Sequence, residues 1–442
     1  MIFKIPENAS YRGLKILPNN DWHHQRRYTR DDLSKTVSFF LDYINRIPNE
    51  QSRRIGVVYG SLSFLSIAFM LALIKSKRDY IVFYHLDNFD IDLTTVCNHI
   101  FIAGDLPETV NKSGLQLEPD FFTEIWDYDL QKTAFAHTNR DELEFEFDAN
   151  QKTFIGILRD GAWIAIPLYT TGKIEESCII AAMDNYISEE DTCILVRPFR
   201  HIGVATLSIY PALFKAKKVI ICRGQADWND EYKAATNVHL AWEMVKENWK
   251  LPEKLRMVTT GGYAFNSDCI NYVVNQSDVE NIVDCYGTAV CPPPMAIRYL
   301  HKDRPAFQPF VWINKLLKPK SDNGNLAITG PADIFKKVQG NVPSDLLDFD
   351  KVLTSDKIEM TDNGFYFYGS RTMFIRVKHE RWTVDNFSNL FKEQTGIEQF
   401  EITFEDKDGV AVPSLHVENQ YKEIVSDFIT NVFAEIILVI KH

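Results

Sequence analysis

Leu33, Val37, Phe40, Leu41 and Ile44 recur at helical spacing and predict an amphipathic helix over Tyr28–Arg46. Thr29 stands where a helix cap belongs, and Asp31 and Asp32 follow in the first turn, where carboxylates suit the helix dipole. Beyond it come a β-branched run, Arg54–Tyr59, a continuous apolar run, Leu62–Ile74, and another short run, Tyr80–Tyr84. Read as strand, helix and strand, this order builds a crossover in a parallel sheet. Phe154–Pro167 reads as a strand leading into Tyr169-Thr170-Thr171-Gly172-Lys173, with a helix over Ser177–Tyr186 after it. Cys193–Val196, Val219–Cys222, Leu255–Thr259 and Asn281–Cys285 read as further strands, and His239–Glu247 as a helix. Strands alternating with helices predict an α/β fold. Residues 105–150 are acidic and match no pattern.

Toward the end of the chain, Lys357–Met360 and Phe365–Tyr368 read as two strands of a hairpin. The Asn363-Gly364 step between them predicts a tight turn built on positive-φ residues. A Gly-Ser break at 369–370 and a new apolar run, Ile375–Val377, suggest one domain ending and another starting. We therefore expect a large body over 1–368 and a small lobe over 369–442. In that lobe Val417, Tyr421, Ile424, Val425, Phe428, Ile429 and Val432 form a helical stripe, and Ile436–Ile440 reads as a last strand.

The totals narrow the class. With 45% hydrophobic and 24% charged residues, the 442-residue chain is composed like a soluble globular protein of two or more domains. A formal charge of -12 argues against a nucleic-acid or anionic-membrane binder, which needs a basic surface. Seven scattered cysteines with no C-x-x-C predict reduced thiols and no zinc site. The first residues, MIFKIPENAS, contain no apolar signal core, and Leu62–Ile74 is too short to span a bilayer. These features predict a cytoplasmic protein with no membrane span.

Several polar stretches carry candidate chemistry. Thr170-Thr171-Gly172 between a strand and a helix has the amides and hydroxyls that can cradle an anion, although an ordinary strand–loop–helix turn reads the same way. Arg200-His201-Ile202-Gly203, Gly261-Gly262, Tyr286-Gly287-Thr288 and Thr354-Ser355-Asp356 follow in order. On the residues alone, Tyr286 reads first as a half-buried strand-end aromatic and His201 as a hydrogen-bonded loop residue. The series, closing with Asp362-Asn363-Gly364-Phe365-Tyr366-Phe367-Tyr368-Gly369 and Ile375-Arg376-Val377, resembles the motifs of the adenylate-forming superfamily. That superfamily contains acyl-CoA synthetases, peptide-synthetase adenylation domains and luciferases. Gly324–Thr329, ending in Gly330-Pro331, resembles another of its strands. The resemblance implies an α/β body of several subdomains, with mixed and parallel sheets flanked by helices, and a small, mobile α+β lobe.

The resemblance also implies roles. Thr170, Thr171 and Gly172 would hold phosphate, Tyr286 would stack on adenine, and Gly262 would let backbone approach the ring. Gly287 and Thr288 complete that motif. Asp356 would hold the ribose hydroxyls, aided by Arg371, and His201 and Tyr263 would border the pocket for an acid. The implied reaction joins a small carboxylic acid to AMP from ATP with magnesium. The acyl group then passes to coenzyme A or a carrier thiol.

Departures from the motifs point the other way. Tyr169 replaces a loop glycine, and Glu175 and Glu176 stand where a Lys and a Gly belong. A carboxylate about 5 Å from a phosphate charge costs roughly 3 kcal/mol at an effective dielectric of 20. Ala289 and Val290 fill the end of a motif that normally closes on a magnesium-associated Glu, so no metal-binding residue is assigned. Arg371 comes one place late, Thr372 replaces the hinge acid, and His379 replaces a Gly at the thiol channel. The motif bearing the closing Lys is expected beyond His442, and Lys441 lacks its context. The alternative is a catalytically degenerate relative that binds an acid, a nucleotide or a protein partner.

Overall fold

The computed structural model describes residues 2–6, 10–15, 24–47, 55–59, 62, 64–83, 99–103, 116–118, 143–159, 162–196, 202–222, 230–240, 244–245, 247–261, 267–288, 291–300, 308–330, 351–370, 374–377, 380–407, 410–432 and 434–441. His201, Trp242, Gly262, Tyr263 and Arg371 lie outside them, and so does the side chain of Thr170.

The first helix forms as its pattern predicts. It spans Arg30–Arg46, and Thr29 caps it reciprocally with Asp32: the Asp32 amide donates to the Thr29 hydroxyl, and the Thr29 amide donates to the Asp32 carboxylate. Leu33, Val37, Phe40 and Ile44 are buried against the next helix, Phe64–Ser76, whose side chains from Phe64 to Ile74 are all buried. A helix apolar on every side belongs in the interior, and this one is enclosed. Arg78 closes the joint between the two helices. Its guanidinium donates to the Ile44 and Ile47 carbonyls at 2.9 and 2.7 Å.

Two sheets make up most of the body. The smaller runs in the order Ala162–Thr171, Lys152–Arg159, Tyr80–Phe83, Ile55–Tyr59, His99–Ala103 and Gln116–Glu118. Ile55–Tyr59 pairs in parallel with Tyr80–Phe83, as the strand–helix–strand order predicts. The expected single strand over Phe154–Pro167 is instead an antiparallel hairpin, Lys152–Arg159 with Ala162–Thr171. In sequence the two strands are separated by Asp160-Gly161, a dipeptide of the kind that closes hairpins.

The larger sheet has thirteen strands among the described residues. Its parallel section orders Asp278–Tyr286, Lys254–Gly261, Asn237–His239, Thr192–Leu195 and Lys218–Ile221. The helix expected over His239–Glu247 is corrected at its start, where Asn237–His239 is a strand, while Met244 and Val245 are helical. Buried on both sides by parallel neighbours, the strand residues join the sheet, and His239 ends a strand at 5% exposure. On its other edge Asp278–Tyr286 meets antiparallel strands: Ala296–Leu300, Phe310–Trp312, Gly364–Ser370 and Lys351–Thr361 in that order. The change from parallel to antiparallel pairing thus occurs at the strand that ends in Tyr286.

The late hairpin forms between Lys351–Thr361 and Gly364–Ser370, but its turn differs from the expected one. Asp362 and Asn363 make it, and neither Asn363 nor Gly364 has positive φ. Gly364 serves close approach, since a Cβ there would lie 1.8 Å from the Phe310 carbonyl oxygen. The left-handed Asn-Gly pair falls earlier, at Asn323 (φ 52°) and Gly324 (φ 78°), joining Lys318–Asp322 to Asn325–Thr329.

Residues after Ser370 build separate small sheets. Phe374–Val377 pairs with Glu380–Thr383 and Ala434–Glu435; Val410–Glu418 pairs with Glu401–Lys407 and Ile437–Lys441. Helices Val384–Thr395 and Lys422–Asn431 cover them over a core containing Ile375, Phe387, Phe391, Leu415, Val425 and Phe428. The expected stripe from Val417 to Val432 is split. Val417 belongs to a strand, and Ile424 is 49% exposed. Among the described residues, no helix is long and apolar enough to cross a membrane, and the six described cysteines are buried.

Candidate functional site

The strand Asp278–Tyr286 enters the core along its second half, every residue from Ile282 to Tyr286 being buried. Tyr286 therefore sits at the carboxyl end of the last parallel strand, where the neighbouring pairing reverses. In open α/β sheets ligands bind in crevices outside the carboxyl ends of the parallel strands. Its ring is held edge-on by Phe310 and Phe365, with centroids 5.7 and 5.2 Å away, and lies tilted against Phe367 at 6.0 Å. Its hydroxyl donates to Oδ2 of Asp356.

That contact joins strands four places apart in the sheet. At the usual strand spacing of about 4.8 Å they would be roughly 19 Å apart if the sheet were flat. The antiparallel section must therefore coil around the aromatic cluster, which includes Leu326, Ile328, Ile358 and Phe365. Asp356 is aimed locally as well. The pairing slips between Asp356 and Ile358, and such bulges redirect side chains. The Asp356 amide donates to the Thr354 hydroxyl at 3.2 Å, and that hydroxyl donates to the Leu326 carbonyl at 2.8 Å. Thr354 and Asp356 of the Thr-Ser-Asp motif thus act together, and Asp356 remains 8% exposed.

The loop after Tyr286 folds over the neighbouring helices. The Thr288 amide donates to the Cys291 carbonyl at 2.8 Å, and the Cys291 amide donates to the Thr288 hydroxyl at 3.0 Å. A Cβ on Gly287 would lie 2.4 Å from the Pro293 nitrogen, so only glycine fits. The Pro292 carbonyl accepts from Cys178 Sγ at 3.0 Å, and the Pro293 carbonyl accepts from the Thr206 hydroxyl at 2.6 Å. Cys178 lies on the helix Gly172–Tyr186. Thr206 lies in the π-turn Ala205–Ile209 that follows Gly203, a distortion often found at functional sites. These bonds gather three motifs: the helix after Thr171, the helix after His201, and Tyr286-Gly287-Thr288.

The start of the first of these helices is arranged differently from the expected phosphate loop. The Gly172 amide donates to the Gln151 carbonyl at 3.0 Å, and a Cβ there would meet the Asp148 carbonyl oxygen at 2.3 Å. The Gln151 side chain is itself bound to the Leu73 and Arg78 carbonyls, which fixes the position. Thr171 precedes the helix in extended conformation, and its buried Oγ1 has no hydrogen-bond partner.

Glu175, expected to face a phosphate, is turned into the core at 2% exposure. One carboxyl oxygen has no partner, while the Thr153 hydroxyl bonds the group. Burial pushes its pKa up to about 7, the Thr153 bond opposing. Burial also raises the Tyr80 phenol, and the nearby Glu175 charge adds to that rise.

Polar groups that the motifs did not single out lie in the same sheet. Asp284, two residues before Tyr286, accepts from Arg298 at 2.8 Å, and both are buried. Burial raises the Asp284 pKa against the Arg298 charge. The Arg298 guanidinium lies 4.7 Å from the Phe310 ring centre. His239 Nδ1 lies 3.2 Å from the Thr259 hydroxyl on the adjacent strand. A charged residue inside an apolar strand, as in Val283-Asp284-Cys285 and Ile297-Arg298-Tyr299, is the one sequence signal that marks the ion pair. Among the described residues no three His, Cys, Asp or Glu side chains gather as a metal site.

No family model matches the chain, and no curated protein matches it. Solved structures do. The chain is similar to o-succinylbenzoate-CoA synthetase (MenE) from Bacillus subtilis in complex with the acyl-adenylate intermediate OSB-AMP. The TM-score is 0.60 at 12% identity, over 94% of this chain and 90% of that one. NpsA-ThdA, an artificially fused adenylation–PCP di-domain from Klebsiella oxytoca, matches at a TM-score of 0.64 and 12% identity, over 100% and 91% of the two chains. McyG A-PCP complexed with phenylalanyl-adenylate matches at 0.62 and 11%, over 98% and 88%. Identity this low speaks for architecture alone, and the architecture is shared across nearly the whole length: the chain has the adenylate-forming fold of acyl-CoA synthetases and peptide-synthetase adenylation domains.

Proposed function

We propose that this protein binds ATP beside Tyr286 and Asp356 and activates a small carboxylic acid as its acyl-adenylate, for transfer to coenzyme A or a carrier thiol. The observation that carries this reading is the Tyr286–Asp356 contact. A ring able to stack on a base and a carboxylate able to take two sugar hydroxyls would stand side by side at the carboxyl end of the last parallel strand. In two of the similar structures named above, MenE and McyG A-PCP, the bound molecule is an acyl- or aminoacyl-adenylate. Thr170, Thr171 and Gly172 mark the phosphate end, Gly262 the approach of backbone to the base, and Arg371 a second ribose contact. His201 and Tyr263 border the acid. Magnesium would enter on the nucleotide phosphates, which is its usual mode of binding. We also take 369–442 as a lobe that moves relative to the body.

A second reading keeps the nucleotide and drops the chemistry. It is favoured by the helix start, where the Gly172 amide already serves Gln151 and a buried Glu175 occupies the place of a cation. Adenylation relies on charge stabilisation at the reacting phosphate, so that exchange removes a contribution worth orders of magnitude. Exchange of labelled pyrophosphate into ATP, in the presence of magnesium and a panel of acids, separates the two. Label entering ATP with at least one acid is expected from the ligase. No exchange with any acid, combined with ATP binding, leaves the binding role.

A further inference from the structure

We propose that the strand Ile437–Lys441 is an open sheet edge on which a second copy of this chain pairs antiparallel, joining the small lobes of two molecules through one continuous sheet. The assignment does not depend on the nucleotide reading above. The strand is an outer member of a three-stranded sheet. It pairs in parallel with Val410–Glu418 on one side and, among the described residues, with no strand on the other. Its outward row of backbone N–H and C=O groups is a template for another strand.

Soluble proteins guard such edges with charge, proline or irregularity, and the other long edges of this molecule follow that rule. The large sheet ends on Lys318–Asp322, where exposed Lys318 and Lys320 flank Pro319. The other edge of the small lobe's sheet is Glu401–Lys407, which carries Glu401, Glu405, Asp406 and Lys407. Ile437–Ile440 carries neither charge nor proline. Ile437 is 37% exposed, and Leu438, Val439 and Ile440 are only half-buried. Lys441 ends the strand, but its ammonium is turned back across the sheet to Glu401, 2.6 Å away on the far strand. It therefore leaves the outer edge unguarded.

The charge pattern of the edge selects its occupant. A contact between identical copies must match itself about a twofold axis. With that axis at Val439, Leu438 meets Ile440 of the second copy and Ile437 meets the stem of its Lys441. No like charges oppose each other, and both ammoniums keep their Glu401 partners. Apolar pairs directly opposite in an antiparallel ladder are the stabilising unit of a sheet. The charged far edge refuses a further strand, so the assembly closes at two copies and does not grow into a fibre.

Sedimentation velocity of the full chain from about 1 to about 200 μM tests the assignment, a range suited to an interface of small area. Wild type is expected to pass from monomer to dimer across it. Ile437→Lys is expected to weaken the dimer by about tenfold or more and to melt as wild type does, because the side chain it replaces is exposed. Glu405→Lys, on the guarded edge, should leave the dimer as it is. Val439→Cys is expected to give a covalent dimer with a short bifunctional thiol reagent, whereas wild type, whose described cysteines are buried, is not. This second readout stands even if Ile437→Lys fails to fold. Wild type that stays monomeric throughout overturns the assignment. So does a dimer that Ile437→Lys leaves intact, one that Glu405→Lys weakens as much, or a Val439→Cys protein that does not cross-link.

Discussion

A carboxyl group sealed in a protein interior either finds a cation or keeps its proton, and among the described residues no cation pairs with Glu175. Its neighbours are the Thr153 hydroxyl, the Tyr80 phenol and the Cys178 thiol, the last pushed up to about 12 chiefly by burial. The sign of the pH effect follows. The folded protein holds this proton to about pH 7, whereas the unfolded chain releases it near its ordinary value of 4.5. The stability it contributes is complete below the unfolded value and is lost as pH rises through the folded one. Glu175→Gln should therefore match wild type below about pH 4 and exceed it by about 3 kcal/mol at about pH 8 in denaturant unfolding. Parallel pH profiles for the two proteins would show that the group is not buried as described.

The burial of Glu175 was not legible in the sequence, whereas the Thr29 cap was. A cap is a relation among residues three apart, and Thr29 with Asp32 states it locally. Which way Glu175 points depends on a sheet whose strands begin at Ile55 and Lys152. His239 was misplaced for the same reason, because its strand exists only through partners at Cys193–Ile194 and Met257–Thr259.

At the scale of elements, glycine marks where backbones touch. Gly364 lies against the Phe310 carbonyl and Gly287 against Pro293, and neither has the left-handed conformation for which a turn selects glycine. An Ala at 364 cannot be placed without separating Gly364–Ser370 from Phe310–Trp312. We expect Gly364→Ala to destabilise the protein by about 3 kcal/mol or more, since backbone has less room to yield than a side chain. An unchanged denaturation midpoint would contradict the geometry. The Asn-Gly rule, applied to the sequence, found the right hairpin at 351–370 for the wrong physical reason, and it passed over Asn323-Gly324, where the rule holds.

At the scale of the molecule, order along the chain was more informative than any single motif. Thr170-Thr171-Gly172, Tyr286-Gly287-Thr288 and Asp356 are each weak alone, and their sequence pointed to the fold that the structure shares with its relatives. The coil of the antiparallel section, which brings Asp356 to Tyr286, has no local signature. It arises from many strands twisting in one sense around a shared apolar cluster. The ion pair Asp284–Arg298 spans two strands of the same section, with the Arg298 guanidinium over the Phe310 ring.

The central claim is that this cleft holds a nucleotide through Asp356, and titration of the protein with ATP and with AMP, followed by heat, tests it most directly. We expect saturable binding of both by wild type and, with Asp356→Ala, an affinity lower by about a hundredfold, the cost of removing a charged hydrogen-bond acceptor. Heat of binding that survives Asp356→Ala undiminished would contradict the ribose site, and no binding at millimolar nucleotide would contradict the cleft.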